Sequence, residues 1–345
     1  MKRHLNTLFV TTEGAWLRKD GQAVAVDVEK ETKLRVPLHN LDGIVALGWD
    51  IGMSPQLMAA CAEADVAISF HNPHGKFLAA VRGPVSGNVL LRREQYRQAD
   101  DEAKTLKIAA QIVAVKIMNC RTVLVRAARE TSSGEPAPEL EHAIRYLGNR
   151  IDAARSAANP DSLRGIEGEA ATAYFGVFQQ LLKVDDPAFV FERRSKRPPL
   201  NRINALLSFL YAMLTHDLRS ALEGVGLDPQ VGFLHRDRPG RPSLALDLME
   251  EFRAYFADRL ALSLINRQQL QAKDFRVRES GAVQLKDDAR KLVLKSYQER
   301  KQKELRHPFL DEKMTLGLLP HIQARLFSRY LRGDLDIYPP FIWKG

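Results

Sequence analysis

Three segments of the chain set a carboxylate or an imidazole in an otherwise apolar, helix-forming context. They are Arg164-Gly165-Ile166-Glu167-Gly168-Glu169-Ala170-Ala171, Gly232-Phe233-Leu234-His235 and Ser243-Leu244-Ala245-Leu246-Asp247-Leu248-Met249-Glu250-Glu251. Charge in such surroundings is costly unless it is paired or coordinated. One histidine with several carboxylates suits a hard divalent cation, Mg or Mn, rather than a structural zinc. An ion of that kind stabilises charge on a phosphate and assists an attacking or leaving oxygen.

Each segment also has a plainer explanation. Ile166, Ala170, Ala173, Val177 and Leu181 recur at helical spacing, with Asp161 or Ser162 as cap, and Glu167 borders that stripe beside Tyr174 and Phe178. Gly165 and Gly168 flank it, and each weakens a helix by roughly 1 kcal/mol relative to Ala, which suggests a close approach to the backbone. A glutamate near the positive end of a helix would need no further role. His235 is followed by Arg236, Arg238 and Arg241, whose guanidinium groups suit phosphate oxygens, although a lone histidine is commonly structural. Asp247, Glu250 and Glu251 stand at i, i+3 and i+4, so one continuous helix would show them on one face, either to solvent or to a cation. Taken together, Glu, His and acidic residues from separate helical segments compose an open metal site.

A fourth segment, Phe191-Glu192-Arg193-Arg194-Ser195-Lys196-Arg197-Pro198-Pro199, carries a basic run ahead of a long amphipathic stretch. It reads as a stiff loop contacting a DNA backbone, or as a solvated connector. Phosphate contacts of this type are salt-sensitive and carry little base preference.

The elements that must position these groups fall in two parts. Strand patterns run over 8–12, 15–19, 22–26, 33–38, 43–47, 66–70 and 76–81, with Asp20-Gly21 as a hairpin turn and a helix from Ser54 to residue 64. The breaker cluster Gly83-Pro84-Val85-Ser86-Gly87-Asn88 marks a boundary. Helical periodicity then dominates over 90–99, 103–130, 140–158, 162–182, 201–222, 243–264 and 308–331, with loops at 131–138, 183–199 and 239–242. The expectation is an α+β protein of two domains. Residues 1–83 form a small β-rich, β-sandwich-like domain, 84–88 a linker, and 89–345 a larger all-α catalytic domain.

Fifty-one Lys and Arg against 42 Asp and Glu leave a net charge of +9, which favours polyanionic partners such as nucleic acid. Cys61 and Cys120 are far apart and in no CxxC pairing, which argues against a disulfide framework or a cysteine zinc site and fits a reducing cytosol. The apolar patch after Met1-Lys2-Arg3-His4 is too short for a signal-peptide core, and the apolar run at 205–214 is too short for a membrane span. A cytoplasmic or nucleoid-associated protein with no membrane partner is expected.

Several motifs in order make a specific resemblance. Gly165-Ile166-Glu167-Gly168, Arg197-Pro198-Pro199, Asn204-Ala205-Leu206-Leu207-Ser208-Phe209, Gly226-Leu227-Asp228-Pro229, Gly232-Phe233-Leu234-His235 and the 243–250 segment together resemble the CRISPR-associated Cas1 endonuclease/integrase family. The likeness spans essentially the whole chain, and Lys116-Ile117-Met118-Asn119 adds the flavour of the bacterial type I branch, subtype I-C. The resemblance implies a Mn- or Mg-dependent enzyme of an antiviral defence system. Such an enzyme inserts short DNA fragments into a CRISPR array through attack by a 3′-hydroxyl on a phosphodiester, and cuts branched DNA. It places the metal ligands on Glu167, His235 and Glu250 and a further active-site acid on Asp247. Glu169 and Glu251 are set aside as neighbours on other helix faces. Arg193, Arg194, Lys196, Arg197, Arg236, Arg238 and Arg241 are the DNA-backbone candidates. A homodimer through the β domain, with two such dimers bridging a dimer of a small Cas2 protein, is likewise implied by the resemblance alone. A structure-specific repair nuclease without integration activity and a non-catalytic helical DNA-binding scaffold are the competing readings.

Overall fold

The computed structural model describes residues 6–64, 66–73, 77–81, 83, 89–130 and 137–345. The expected linker at 84–88 and the start of the 131–138 loop lie outside the described residues. The chain divides into two compact units. One comprises Met1–Ser86, Lys286–Lys303 and Leu316–Leu318, and the other Gly87–Leu285, Glu304–Thr315 and Leu319–Gly345.

Among the described residues the first unit carries eight strands: β1 (Asn6–Val10), β2 (Ala15–Asp20), β3 (Ala23–Val28), β4 (Glu31–Pro37), β5 (Leu41–Leu47), β6 (Ile51–Met53), β7 (Ala67–His71) and β8 (Phe77–Val81). They build two four-stranded sheets, ordered β1-β5-β7-β8 and β4-β3-β2-β6. In the first sheet β5 runs parallel to both β1 and β7, and Ile44, Val45, Ala46 and Leu47 are all buried, as a strand covered on both faces requires. In the second sheet β2 alternates, with Ala15 and Leu17 buried and Trp16 exposed. Leu17, Val24, Ile44, Leu57 and Ile68 belong to one hydrophobic core.

Helix α1 (Pro55–Glu63) starts as expected, with the Ser54 side chain accepting a hydrogen bond from the Leu57 N–H at 3.3 Å. The first hairpin differs in detail from the Asp20-Gly21 turn. Asp20 still belongs to β2, and Gly21 alone takes a positive φ, +59°. The next hairpin turns through Glu29 and Lys30, at φ of +53° and +67°. Neither residue type announces a left-handed backbone, so no local signal marked this turn.

The second unit is built on helices α2 (Val89–Asp100), α3 (Glu102–Arg129), α4 (Pro138–Arg155), α5 (Pro160–Gly176), α6 (Arg202–Gly224), α7 (Ser243–Met249) and α8 (Arg259–Asn266). Helix α3 is its central element, burying Ile108, Ile112, Val113, Val115 and Leu124. The most extended apolar window lies here rather than at 205–214; α3 is long and apolar enough to cross a membrane, but 67% of that window is buried within the protein. Two short ladders interrupt the region read as all-α: β9 (Phe275–Val277) with β10 (Val283–Leu285), and β11 (Glu304–Arg306) with β12 (Lys313–Thr315). Between them α9 (Asp287–Lys301) returns to the first unit, where Gln298 donates to the Thr7 carbonyl at 2.9 Å. No helix was expected there. The 308–331 pattern shortens to α10 (Leu319–Leu331).

Candidate active site

Glu167 stands on α5, whose first turn is capped by Asn159 rather than Asp161 or Ser162. The Asn159 side chain accepts from the Ser162 N–H at 2.9 Å, and Pro160 follows it. The expected close approach at Gly165 and Gly168 does not come from within the chain. Both are exposed, and a Cβ at either would meet nothing within 4 Å. The Glu167 side chain is one-quarter exposed, and its Oε1 accepts a hydrogen bond from Lys116 Nζ, on α3, at 2.5 Å.

The third segment corrects the picture of one acidic face. The 243–264 helix breaks: α7 ends at Met249, Glu250 begins a turn, and a widened π-helical turn over Arg253–Asp258 leads into α8. Asp247, Glu250 and Glu251 therefore point to different surroundings, and all three are buried. A solvated acidic face is excluded. Glu250 Oε1 lies 2.8 Å from Arg253 Nη2, and Oε2 lies 3.1 Å from Lys116 Nζ. Burial alone would raise the Glu250 pKa, but Arg253, Lys116 and His235 outweigh it and hold the carboxyl at about 2. Its Oε2 is sealed from solvent, with the Lys116 ammonium as its partner at 3.1 Å.

Glu251 faces the opposite way. It accepts from the Tyr338 hydroxyl at 2.6 Å, the Gln323 amide at 2.9 Å and the Phe341 N–H at 2.7 Å. Burial pushes its carboxyl up to about 7 against these three donors. The C-terminal segment is tied to the helix break by the same bonds, by the stacking of Phe341 on Phe252, and by Asn119, which donates to the carbonyls of Glu251 and Phe341.

Asp247 stands behind His235 rather than beside the other carboxylates. Its Oδ2 accepts the N–H groups of Phe233 and Leu234, at 2.6 and 3.0 Å. Its Oδ1 takes the His235 N–H at 3.0 Å and faces His235 Nδ1 at 2.7 Å. All its nearby acceptor capacity is used in holding the 233–235 segment and the His235 ring. With Nδ1–H donated to Asp247, the other ring nitrogen, Nε2, keeps its lone pair. Gly232 makes this possible, because a Cβ there would sit 2.8 Å from Asp247 Oδ2 and from the Ser243 backbone.

A polar layer supports Glu250. Arg253 lies over the Tyr211 ring at 4.7 Å, and the hydroxyls of Tyr211 and Tyr174 donate to Asp258 at 2.5 and 3.0 Å. Burial pushes the Asp258 carboxyl up to about 6.

Of the basic candidates, Arg193, Arg197, Arg236 and Arg238 are exposed and Arg241 is half-buried. Lys196 is exposed at its surface, yet packing around its ammonium and then Arg253 lower its pKa. Arg194 is half-buried and makes its contacts within the chain. It donates to Asn204 Oδ1 at 2.7 Å and Ser208 Oγ at 3.0 Å and lies over Tyr211 at 5.3 Å. Sequence reasoning missed Lys116 and Arg253 as parts of the centre. The one available signal was a lysine inside the apolar α3 stripe, within the Lys116-Ile117-Met118-Asn119 motif.

Among the described residues no three His, Cys, Asp or Glu side chains already form a metal-binding group. The donor set nevertheless fits a hard divalent ion: Glu167, Glu250 kept ionised by the cations around it, and an imidazole held with Nε2 available.

A strand-rich unit followed by a helical unit, with the carboxylates and the imidazole in the latter, defines a two-part α+β protein. The family model described as CRISPR associated protein Cas1 matches residues 8–299, and the chain belongs to that family. It is 54% identical over 344 residues to CRISPR-associated endonuclease Cas1 1 of Chlorobaculum tepidum, covering 100% of each. Among solved structures it is similar to a CAS1 protein from Thermotoga maritima, with TM-score 0.80, 23% identity and coverage of 99% of this chain and 100% of that one. A casposase bound to its integration product has TM-score 0.79 and 22% identity, with coverage of 96% and 92%. These two likenesses show the fold.

Proposed function

We propose that the protein is a divalent-metal-dependent DNA endonuclease and integrase of CRISPR adaptation. The observation that carries this is the convergence of Glu167 and Glu250 on one ammonium, with His235 locked by Asp247. The name endonuclease belongs to a relative that is more than half identical along its whole length, and a casposase uses the same fold on its integration product.

Glu167, His235 and Glu250 would hold Mn or Mg, which would supply positive charge against the scissile phosphate and the attacking or leaving oxygen. The protein's own part is to present three donors in a fixed arrangement. Asp247 holds the imidazole tautomer, and Arg253 over Tyr211 holds Glu250 in place. Arg193, Lys196, Arg197, Arg236 and Arg238 are exposed to the DNA backbone, with Arg241 at their edge. The exposed Gly165 and Gly168 leave the Glu167 face open to a strand. In integration a fragment's 3′-hydroxyl oxygen bonds to phosphorus while the bond to the target's own 3′-oxygen breaks. Hydrolysis is the same exchange with water as nucleophile.

A homodimer through the strand-rich unit is part of this reading. Exposed Trp16, Leu34, Trp49, Phe77 and Leu78 on that unit favour it. A small Cas2 partner, a type I subtype I-C system and action in the cytoplasm complete it.

The test is strand transfer from a labelled short duplex with free 3′-hydroxyls into a supercoiled plasmid bearing a CRISPR array. Mn and the partner protein are present, and Glu167→Ala is run in parallel. Label joined to plasmid by the wild type, lost in Glu167→Ala with duplex binding mostly intact, is the expected result. Nicking without joining would favour a repair nuclease. DNA binding with neither activity would favour a scaffold, and equal loss of binding and catalysis in Glu167→Ala would remove Glu167 from the ligand set.

A further inference from the structure

We propose that Lys116 is the resident counter-cation of the metal site: its ammonium holds Glu167 and Glu250 together in the metal-free protein and is expelled when a divalent ion binds. This rests on the metal-dependent reading above.

The geometry argues against Lys116 as an ordinary buried ion-pair partner. Its side chain is only 10% exposed, and the ammonium lies 2.5 Å from Glu167 Oε1 and 3.1 Å from Glu250 Oε2. These two carboxylates come from separate elements, α5 and the end of α7. Two carboxylates converging in a mostly buried site repel each other, so a cation is needed for the arrangement to persist. Arg253 neutralises one oxygen of Glu250, and Lys116 is the cation that spans both acids.

The same geometry sets up a competition. A small divalent ion such as Mg takes oxygen ligands at roughly 2.0–2.1 Å. An ion bound to both carboxylates would therefore fall almost on top of the ammonium. Two cations at that separation in a low-dielectric site repel too strongly to share it. The ammonium meets Glu250 Oε2 at 3.1 Å, the longer of its two carboxylate contacts. Lys116 holds the two ligands ready, and a better ligand for the same oxygens is an ion of higher charge.

The anchoring of Lys116 limits where it can go. Asn119, one turn further along α3, is clamped to the carbonyls of Glu251 and Phe341 at 2.7 and 2.9 Å, and the Trp343 N–H donates to its Oδ1 at 2.9 Å. The helix is thus fixed against the turn carrying Glu250. Exchange is confined to the four-carbon lysine stem, which can swing out past the partly exposed Glu167. The expelled ammonium then becomes a free cation at the mouth of the site, where a phosphate would arrive.

The experiment measures Mn binding to DNA-free protein by calorimetry for wild type, Lys116→Met, Lys116→Gln and Lys116→Arg, with Glu167→Ala as control. The neutral variants should bind Mn roughly tenfold or more tightly than wild type, since the ion no longer competes with a charge, and the arginine variant should gain nothing. In parallel, wild type is treated with an amine-acylating reagent with and without saturating Mn, and Lys116 is followed by peptide mass spectrometry. Labelling that rises severalfold with Mn is expected. Unchanged or weaker Mn affinity in folded neutral variants would overturn the proposal, as would equal protection of Lys116 in both states. If the neutral variants do not fold without metal, the wild-type labelling decides. Loss of Mn binding in Glu167→Ala, with wild type binding normally, keeps the metal reading intact even where the lysine proposal fails. No Mn binding by wild type would sink both.

Discussion

Asp247→Asn separates holding a histidine from binding a metal. The carboxylate faces four donors: three backbone N–H groups at 2.6, 3.0 and 3.0 Å and His235 Nδ1 at 2.7 Å. An asparagine supplies one acceptor oxygen and one NH2 donor. Turned toward Phe233 and Leu234, the NH2 would meet two buried backbone donors that cannot reverse their roles. Turned toward His235, it meets one backbone donor and one imidazole nitrogen, and the imidazole can change tautomer. The second orientation should win. Nδ1 then accepts, and Nε2 carries the proton and loses the lone pair needed for coordination. Two bonds to a charged acceptor are lost, at about 1.5–3 kcal/mol each, and one neutral bond of about 1 kcal/mol is gained. The expected destabilisation is therefore about 2–5 kcal/mol, with metal affinity reduced about 10- to 100-fold, as for other residues that orient a ligand. Calorimetric Mn titration measures the second, and nitrogen-15 shifts of the His235 ring report the tautomer. A variant that keeps Nε2 unprotonated and binds Mn like wild type would refute the positioning role.

Three further outcomes follow from the geometry. Arg194→Ala should lower stability by about 1–3 kcal/mol through loss of its internal donors, leaving the salt dependence of DNA binding unchanged. Arg197→Ala should instead weaken duplex binding and reduce the slope of log affinity against log salt by about one unit, measured by anisotropy over a salt series. Asp258 titrates near 6 in the folded protein, above its ordinary value of 3.8, so the native state keeps a proton that the unfolded chain has lost. Its contribution is fully present below about pH 4 and is lost as pH rises through 6, worth at most about 3 kcal/mol by linkage. Urea unfolding at pH 4 and pH 7.5 should show that decline in wild type and a smaller one in Asp258→Asn. Glu251, raised in the same sense to about 7, keeps the remainder. An identical decline in both proteins would count against the assignment.

The sequence by itself determined what acts over a few residues. The strand alternation of β2 and the Ser54 cap are consequences of residue type and short spacing, and they stand in the structure at nearly the expected positions, whereas the stripe expected to reach Leu181 outruns α5, which ends at Gly176. The residue types Glu167, His235 and Glu250 were also legible, because a charge in an apolar run is conspicuous wherever it finally sits. Four things were decided only by the tertiary structure. The 243–264 helix breaks after Met249, sending Asp247, Glu250 and Glu251 to three environments. Arg194 turns inward, because Asn204, Ser208 and Tyr211 present acceptors and a ring to it on one face of α6. Helix α9 leaves the helical unit, held by bonds to Thr7 nearly three hundred residues earlier in the chain. Lys116 meets Glu167 and Glu250 from a third element. Each depends on which distant groups are brought opposite one another. Periodicity carries no information about that, since burial, ion pairing and hydrogen bonding between remote segments are properties of the packed chain.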